Sequence, residues 1–262
     1  MATPSRSSRA LILLALAPVA AALAVAGDRV FKWEVHDLGR PQPPVVTAGS
    51  GFEGATAPSD AIILFDGNST NAWVSGDGKS CAWEIVEDAM VVKAGTGDIR
   101  TSSPFGDCQL HLEWMIPSDR TVEGQGGGNS GLFFLDRYEL QILETHTNRT
   151  YADGSAGALY GQYPPLVNPC RPKGEWNVYD VVFRGPRFDA SGALNRPATM
   201  TVFFNGVLVQ DHSELLGATA HKQRASYSAH PTRLPIRLQD HGDPVHFRNI
   251  WVRPLDEARG AE

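Results

Sequence analysis

The amino-acid sequence predicts an all-β fold, arranged as an antiparallel β-sandwich or jelly roll. Short strand-like runs recur from residue 61 onward, and turn-forming residues separate most of them. No stretch with the 3.6-residue periodicity of an amphipathic helix exceeds about two turns, which argues against helices packed on a parallel sheet. The roughly 235 residues that follow the N-terminal leader suffice for one large all-β domain.

The predicted strands follow one another at short intervals along the chain. They span residues 61–65, 83–86, 90–93, 108–116, 132–135, 138–144, 178–184, 199–204, 207–210, 234–239 and 245–253. Within 109–116 the side chains alternate in character, so one face should belong to the core and the other should be wet or functional. Asn205-Gly206 is a favoured type I′ hairpin turn, because both central residues of that turn need positive φ.

Residues 1–26 have the pattern of a secretory signal peptide. Arg6 and Arg9 precede an apolar run, which ends in the small residues Ala24-Val25-Ala26 that suit a signal peptidase. An uncleaved membrane anchor is the competing interpretation, but Pro18 interrupts the run. We therefore expect a chain that is exported, periplasmic or secreted, with no membrane attachment after cleavage.

The rest of the chain divides into three parts by composition. Residues 27–60 form an extended lead-in, residues 61–255 the domain, and residues 256–262 a C-terminal tail. The leader holds two of the 23 basic residues and none of the 29 acidic ones, so the mature chain is acidic. Nucleic acid is therefore not an expected partner. The sequence predicts no oligomeric state.

Three cysteines allow one disulfide and one spare thiol in an oxidising compartment. Spacing alone does not select the pair among Cys81, Cys108 and Cys170. Cys81 with Cys108 is the pair that we favour.

A glycine-rich motif does not predict a nucleotide site. Gly126, Gly128 and Gly131 match G-x-G-x-x-G, but the strand-like residues 132–135 follow where a phosphate-binding helix would have to begin. We expect a loop before a strand. The zinc-protease, phosphate-loop and nucleophile-elbow patterns are absent from the sequence, so the corresponding enzyme classes lose their main support.

Two predicted strands carry polar side chains on one face. Glu139 and Gln141 share a face, and a carboxylate beside an amide can hold sugar hydroxyls; a solvated outer face is the alternative. Arg237, Gln239 and His241 share a second face. A neutral histidine can take a proton and an arginine can hold an anionic oxygen, although exposed residues of these types are common.

A long irregular stretch, residues 145–173, lies between these strands and contains His146 and Tyr160. Stretches of this length are often functional, and the aromatic and proline content favours an ordered rim. Glu175 and Trp176 follow, where a carboxylate and an indole could reach a ligand; a core position is the alternative for the indole.

Eight short strings along the domain resemble those of a known family. In chain order they read LFDG, GNSGLF, YELQIL, GALYG, GEWN, FNGV, LQDHG and FRNI, between residues 64 and 250. Over residues 61–255 the chain resembles the 3-keto-glucoside 1,2-lyase/3-keto-2-hydroxy-glucal hydratase family, also called 3-keto-disaccharide hydrolases. The resemblance implies a concanavalin A-like jelly-roll β-sandwich whose concave face handles sugars oxidised at C3.

The resemblance indicates the positions of the site, and functional-group chemistry suggests a role for each. A C3 ketone acidifies the hydrogen on C2, so a base can remove that proton and the enolate can expel the C1 substituent. His241 is then the expected base, Arg248 or Arg237 the enolate stabiliser, and Glu139 or Glu175 the acid/base at the glycosidic oxygen. The expected sugar-binding residues are Asn129, Gln141, His146, Tyr160, Arg237 and Gln239.

A cofactor is not required by this chemistry. A divalent cation could polarise the ketone near Glu139, Glu144, His146 or His241, but no spacing dictates a metal site. The insert 189–197, the string Glu144-Thr145-His146 and the segment 212–234 depart from the family's usual form. They should reshape the rim and so affect the choice of carbohydrate substrate.

Two other functions remain open. A non-catalytic carbohydrate-binding module can use the same fold, but it needs stacking aromatics and no base. A conventional glycosidase needs paired carboxylates, and here Glu139 is followed at the second position by Gln141.

Overall fold

The computed structural model describes residues 1, 31–49 and 51–255. The expected signal-peptide residues other than Met1 and the expected tail 256–262 lie outside these ranges. Within them, no helix has both the length and the apolar character needed to span a membrane. The chain divides into a unit of residues 1–32 and a unit that begins at Trp33, and the architecture below is that of the second.

Almost all regular structure in the described residues is β-strand. The strands are β1 (Ile62–Phe65), β2 (Trp73–Ser75), β3 (Glu84–Val86), β4 (Ala89–Val91), β5 (Ile99–Thr101), β6 (Cys108–Met115), β7 (Ser130–Phe134), β8 (Tyr138–Ile142), β9 (Asn177–Arg184), β10 (Arg187–Phe188), β11 (Leu194–Arg196), β12 (Thr199–Phe204), β13 (Val207–Glu214), β14 (Arg237–Leu238) and β15 (His246–Pro254). Two short 3₁₀ helices, η1 (Gly124–Gly126) and η2 (Ala152–Gly154), complete the elements. The predicted all-β class is confirmed.

Two antiparallel sheets form the sandwich. The larger runs β13-β12-β9-β6-β15-β4-β3, with β1 paired to β15, and the smaller runs β2-β5-β14-β7-β8. A separate hairpin joins β10 to β11. The core lies between the sheets because each contributes one apolar face, for example Leu110 and Trp114 from β6 against Leu132 and Leu140 from β7 and β8, all fully buried.

The turn predicted at Asn205-Gly206 is confirmed. Asn205 has φ 50° and Gly206 has φ 78°, as a type I′ turn between β12 and β13 requires. Within the turn Asn205 is buried and its side-chain oxygen accepts the Val178 N–H at 2.8 Å, whereas Gly206 is exposed. β13 continues beyond the predicted end to Glu214.

The second face of β6 is partly exposed at Gln109 and Met115 but is not wet between them. His111 and Glu113 are fully buried, and the Gly54 N–H of the lead-in donates to Glu113 Oε1 at 2.7 Å. Burial opposes the charge on both side chains. Hydrogen bonds to Asp180 and Glu113 nevertheless raise the pKa of His111 to about 9. Hydrogen bonds from His111, Asn249 and Arg248 lower the pKa of Glu113 to about 2.

Part of the lead-in is a packed strap, defined here as residues 33–49. The Val46 N–H donates to the Asn168 carbonyl at 3.0 Å, and the Asn168 N–H donates to the Pro44 carbonyl at 2.8 Å. Nearer its start, the His36 N–H donates to Asp153 Oδ2 at 3.1 Å. The strap therefore runs along the irregular stretch 145–173 and holds it against the domain.

The predicted disulfide between Cys81 and Cys108 is wrong. None of the three cysteines is bonded to another. Cys108 begins β6 and is buried in the core, whereas Cys81 is half-buried in the loop before β3. Burial raises the pKa of the Cys81 thiol, so it is held as a neutral thiol.

Candidate active site

A pocket of about 640 Å³ opens over the outward face of the smaller sheet. Its floor comes from β7, β8 and β14, whose opposite face belongs to the core, and its walls come from the loops around them. The lining residues are Gln125, Asn129, Phe133, Glu139, Gln141, Tyr151, Tyr160, Thr219, His221, Lys222, Arg237, Gln239 and His241. The volume suits a ligand of one or two sugar rings.

Strand register sets the polar side chains of the floor in two rows. In the first row Arg237 pairs with Phe133, and Phe133 pairs with Glu139. In the second row the Gln239 N–H donates to the Gly131 carbonyl at 3.1 Å, and Gly131 pairs with Gln141. Because side chains two residues apart share a face, both rows point into the pocket.

Gly131 lets the neighbouring side chains of the floor lie directly over its backbone. A Cβ at this position would stand 2.7 Å from the Phe133 ring and 2.8 Å from Glu139 Oε1. The third glycine of the G-x-G-x-x-G motif thus lies inside β7, and not in the loop that was expected, because the floor needs a residue without a side chain there. Gly126 and Gly128 precede the strand as predicted.

Glu139 carries a buried carboxyl group whose side chain has no hydrogen-bond partner among the described residues. Burial raises its pKa from 4.5 to about 8, Arg237 opposes the rise, and Asp98 adds to it. At neutral pH this carboxyl group is therefore largely protonated and can donate a proton to a ligand oxygen.

Arg237 is fixed in place beside Glu139 by two carboxylates. Its guanidinium donates to Asp98 and Asp136, and it lies over the Phe133 ring with Cζ 3.5 Å from the centroid. Asp98 also accepts the Asp240 N–H at 2.9 Å, which anchors the loop that carries His241. The cation is therefore preorganised and does not have to be ordered when a ligand binds.

Another wall of the pocket is formed by the connected side chains of Tyr151, Tyr160 and His221. The hydroxyl groups of Tyr151 and Tyr160 lie 2.7 Å apart, and Tyr160 Oη lies 3.2 Å from His221 Nδ1. Burial raises the pKa of both phenols, so both stay neutral donors. The segment before Tyr160 runs along the edge of β8, where the Gln141 N–H donates to the Ala158 carbonyl at 3.0 Å.

Amide side chains line the remaining wall. Gln141 Nε2 donates to Gln125 Oε1 at 3.1 Å, and Asn129 Nδ2 donates to the Gln125 carbonyl at 2.7 Å. The buried Gln141 Oε1 has no hydrogen-bond partner among residues 31–49 and 51–255. A ligand hydroxyl would satisfy this acceptor, and an unsatisfied buried oxygen is otherwise costly.

A family match decides the relationship. The family of 3-keto-alpha-glucoside-1,2-lyase-like domains matches residues 60–253. The chain belongs to this family. The resemblance stated from the eight strings is confirmed.

Individual members and solved structures agree with this placement. A 3-keto-disaccharide hydrolase of Bacteroides thetaiotaomicron is 26% identical over 253 residues, covering 76% of this chain and 81% of the relative. The crystal structure of a candidate glycosyl hydrolase from Parabacteroides distasonis is 43% identical, with a TM-score of 0.76, and covers 82% of this chain and 93% of its own.

A second candidate glycosyl hydrolase from Parabacteroides distasonis is 21% identical, with a TM-score of 0.54, and covers 75% of this chain and 94% of its own. This likeness shows the shared fold. Together with the family match, these relatives confirm the jelly-roll sandwich and indicate a carbohydrate-active, hydrolase-like domain.

The structure of this 3-keto-alpha-glucoside-1,2-lyase-like domain brings most of the predicted site residues together. The residues that line the pocket are Asn129, Glu139, Gln141, Tyr160, Arg237, Gln239 and His241. His241 is the exposed member, in the loop after β14. Their roles stay predictions.

Three predicted site residues lie elsewhere. Arg248 is on β15 of the larger sheet, where its Nε donates to Glu113 Oε2 at 2.8 Å and its guanidinium lies over Trp176. Glu175 is exposed in the turn before β9. His146 is exposed, with its Nδ1 3.0 Å from the Cys170 carbonyl. Of the two candidates for the acid/base, Glu139 and not Glu175 reaches the pocket. Of the two candidates for the enolate stabiliser, Arg237 and not Arg248 reaches it.

Several lining residues were not foreseen individually. Thr219, His221 and Lys222 belong to the segment 212–234, which was expected to reshape the rim and does supply it. Thr219 is held there because its hydroxyl oxygen accepts the Glu139 N–H at 3.1 Å. Tyr151 stood within the stretch predicted as an ordered rim, and Gln125 had no distinguishing sequence signal.

Metal binding is a separate question. Across residues 31–49 and 51–255, no group of three or more His, Cys, Asp or Glu side chains is placed to hold a metal ion. Of the four residues expected near a cation, Glu139 and His241 line the pocket. A cation bound with substrate oxygens stays a prediction.

Proposed function

We propose that this domain is an exported enzyme that cleaves glycosides of 3-keto sugars by elimination, or hydrates the unsaturated product. One observation carries the proposal: Glu139, a carboxylic acid with a pKa of about 8, shares a pocket of sugar size with the fixed cation Arg237. The names of the related proteins support a substrate of the 3-keto-disaccharide class.

The reaction balances with the groups that line the pocket. A base removes the proton on C2, which the C3 ketone has acidified, and charge develops on the ketone oxygen. The electrons then form the C1–C2 double bond as the bond from C1 to the glycosidic oxygen breaks. The leaving oxygen takes a proton from an acid. Adding water across the double bond then gives the free 3-keto sugar.

Each role has a candidate in the pocket. His241, on a loop anchored through Asp240, is the proposed base. Arg237 is the proposed stabiliser of the enolate oxygen, since its guanidinium is already in place. Glu139 is the proposed acid, since it is protonated at neutral pH.

The sugar ring is held by the amide and phenol wall. Gln141 Oε1 offers an acceptor without a partner, and the Tyr160 hydroxyl and Gln239 side chain line the same space. These groups can read hydroxyl positions without carrying charge, so they fix orientation and leave the proton transfers to the residues above.

The pocket does not favour a two-carboxylate glycosidase. Among the lining residues of the described chain, Glu139 is the one carboxylic acid, whereas classical displacement needs two. Elimination needs an acid, a base and a cation, and the lining supplies each of these groups.

A kinetic isotope experiment tests the proposal. The mature protein is incubated with a 3-keto-glucoside, with the same compound deuterated at C2, and with the unoxidised parent glycoside. Release from the keto compound alone, slowed by deuterium and lost in His241→Ala, is expected. Release from the parent without an isotope effect would overturn the proposal. Loss of release with a chelator, restored by a divalent cation, would add a metal to the mechanism.

A further inference from the structure

A second pocket, of about 630 Å³, lies where β9, β12 and β13 meet the β10–β11 hairpin. It shares no lining residue with the candidate active site. Three arginines, Arg184, Arg187 and Arg196, line it, and we refer to it as the arginine pocket.

The three guanidinium groups converge on one buried carboxylate. Asp107 Oδ2 lies 3.5 Å from Arg184 Nη1, 3.0 Å from Arg187 Nη2 and 3.8 Å from Arg196 Nη2. The other oxygen, Oδ1, accepts the Gly185 N–H at 2.8 Å. Arg187 also donates to the Gly185 and Pro186 carbonyls, and Arg196 donates to the Gly185 carbonyl. Each guanidinium group offers five N–H donors, so donors remain for a ligand after these contacts.

Strand pairing itself brings two of these arginines together. Arg187 and Arg196 are direct cross-strand partners on the β10–β11 hairpin. Like charges directly opposite one another destabilise a strand pair. All three arginine side chains are 35% exposed or more, so they face the pocket and not the core.

The remaining charges do not cancel this excess. Glu214 and His212 also line the pocket, so the formal count is three guanidinium groups against the two carboxylates of Asp107 and Glu214. Asp107 is buried behind the arginines, which leaves the cations at the accessible surface.

We propose that the arginine pocket is a binding site for an oxyanion, namely a carboxylate, sulfate or phosphate group. Guanidinium groups bind such groups through two parallel N–H···O bonds, and an anion between Arg187 and Arg196 would relieve their repulsion. The site is independent of the proposed cleavage reaction, because it uses different strands and a different opening.

Calorimetric titration of the full chain with sodium sulfate tests this, against sodium chloride at equal ionic strength. Titration with glucuronate and with glucose asks whether the anion is carried on a sugar. We expect saturable sulfate binding with one site, weakened at least tenfold in Arg187→Gln/Arg196→Gln. Arg253→Gln is the matched control, because Arg253 pairs with the exposed Asp60.

Two outcomes would overturn the proposal. Sulfate could bind no better than chloride, or it could bind equally well to the double variant. If the double variant fails to fold by circular dichroism, Arg196→Gln alone, at the most exposed arginine, replaces it.

Discussion

The imidazole ring of His36 stacks on the phenol ring of Tyr151, with centroids 3.9 Å apart and planes 16° apart. His36 belongs to the strap, which precedes the family-matched residues 60–253, whereas Tyr151 lines the candidate active site. A wall of the pocket is therefore held from behind by a segment outside the recognised domain.

His36→Ala should weaken this wall. Losing the stack should lower the free energy of unfolding by about 1 kcal/mol, since aromatic pairs contribute roughly that much. Cleavage of a 3-keto-glucoside should fall severalfold, while His36→Phe, which keeps a ring, should retain most of it. Leu38→Ala, at an exposed position of the same strap, is the control. Equal losses in the Ala and Phe variants would argue against a stacking role.

Glu139→Gln should affect substrates according to their leaving group. With a sugar or alkyl alcohol as leaving group, kcat/KM should fall by about 10²-fold or more, because the departing oxygen needs a proton. With a nitrophenol the loss should be under about tenfold, since that anion leaves unaided. Glu175→Gln, at the exposed carboxyl, should match the wild type. A loss that ignores the leaving group would assign Glu139 another role.

The raised pKa of Glu139 also predicts how stability depends on pH. Its pKa is higher in the folded chain, about 8, than its ordinary value of 4.5, so its favourable contribution is lost as pH rises between these values. Glu139→Gln cannot ionise. Urea unfolding at pH 5 and at pH 8.5 should therefore show the variant gaining on the wild type by up to about 4 kcal/mol at the higher pH, since each pKa unit corresponds to about 1.4 kcal/mol. A constant difference would contradict the raised pKa.

Gly131→Ala should displace side chains of the pocket floor. Its Cβ would meet the Phe133 ring and Glu139 Oε1, and such overpacking costs about 1–3 kcal/mol. Activity should fall more than tenfold as Glu139 is displaced. Gly126→Ala places its methyl group in open space and should leave both properties near wild type. A Gly131→Ala variant with wild-type activity would show that the position of Glu139 does not depend on this glycine.

Arg248→Gln and Arg237→Gln should separate stability from catalysis. Arg248 pairs with the buried Glu113, so its loss should cost about 1–3 kcal/mol of unfolding free energy with kcat/KM within about twofold of wild type. Arg237→Gln should lower kcat/KM by about 10²-fold or more. Steady-state kinetics beside denaturant unfolding distinguishes the two, and inactive but stable Arg248→Gln would reverse the assignment.

Local patterns predicted the parts of this fold that depend on neighbours in sequence. The alternation around Leu110 gave the core face of β6, and the paired polar positions Glu139 and Gln141 do share a face toward the pocket. The Asn205-Gly206 turn followed from its own φ requirements. Each of these depends on the chain over a few residues.

What failed depended on pairing across the chain. Arg237 and Arg248 are eleven positions apart on adjacent polar strands, yet β14 joins the smaller sheet and β15 the larger. No periodicity reveals which sheet a strand will join. For the same reason, local composition could not predict the lead-in's hydrogen bond to Glu113 or the stacking of His36 on Tyr151.

The five residues of β8 serve two purposes by turns: Tyr138, Leu140 and Ile142 fill the core, while Glu139 and Gln141 form the pocket floor. If the backbone moved at Glu139 or Gln141, the adjacent core side chains would move as well. Substitutions in the floor should therefore also destabilise the sandwich. Substitutions that change the preferred aglycone should instead be tolerated at Thr219, His221 and Lys222, where the rim can change without disturbing the core.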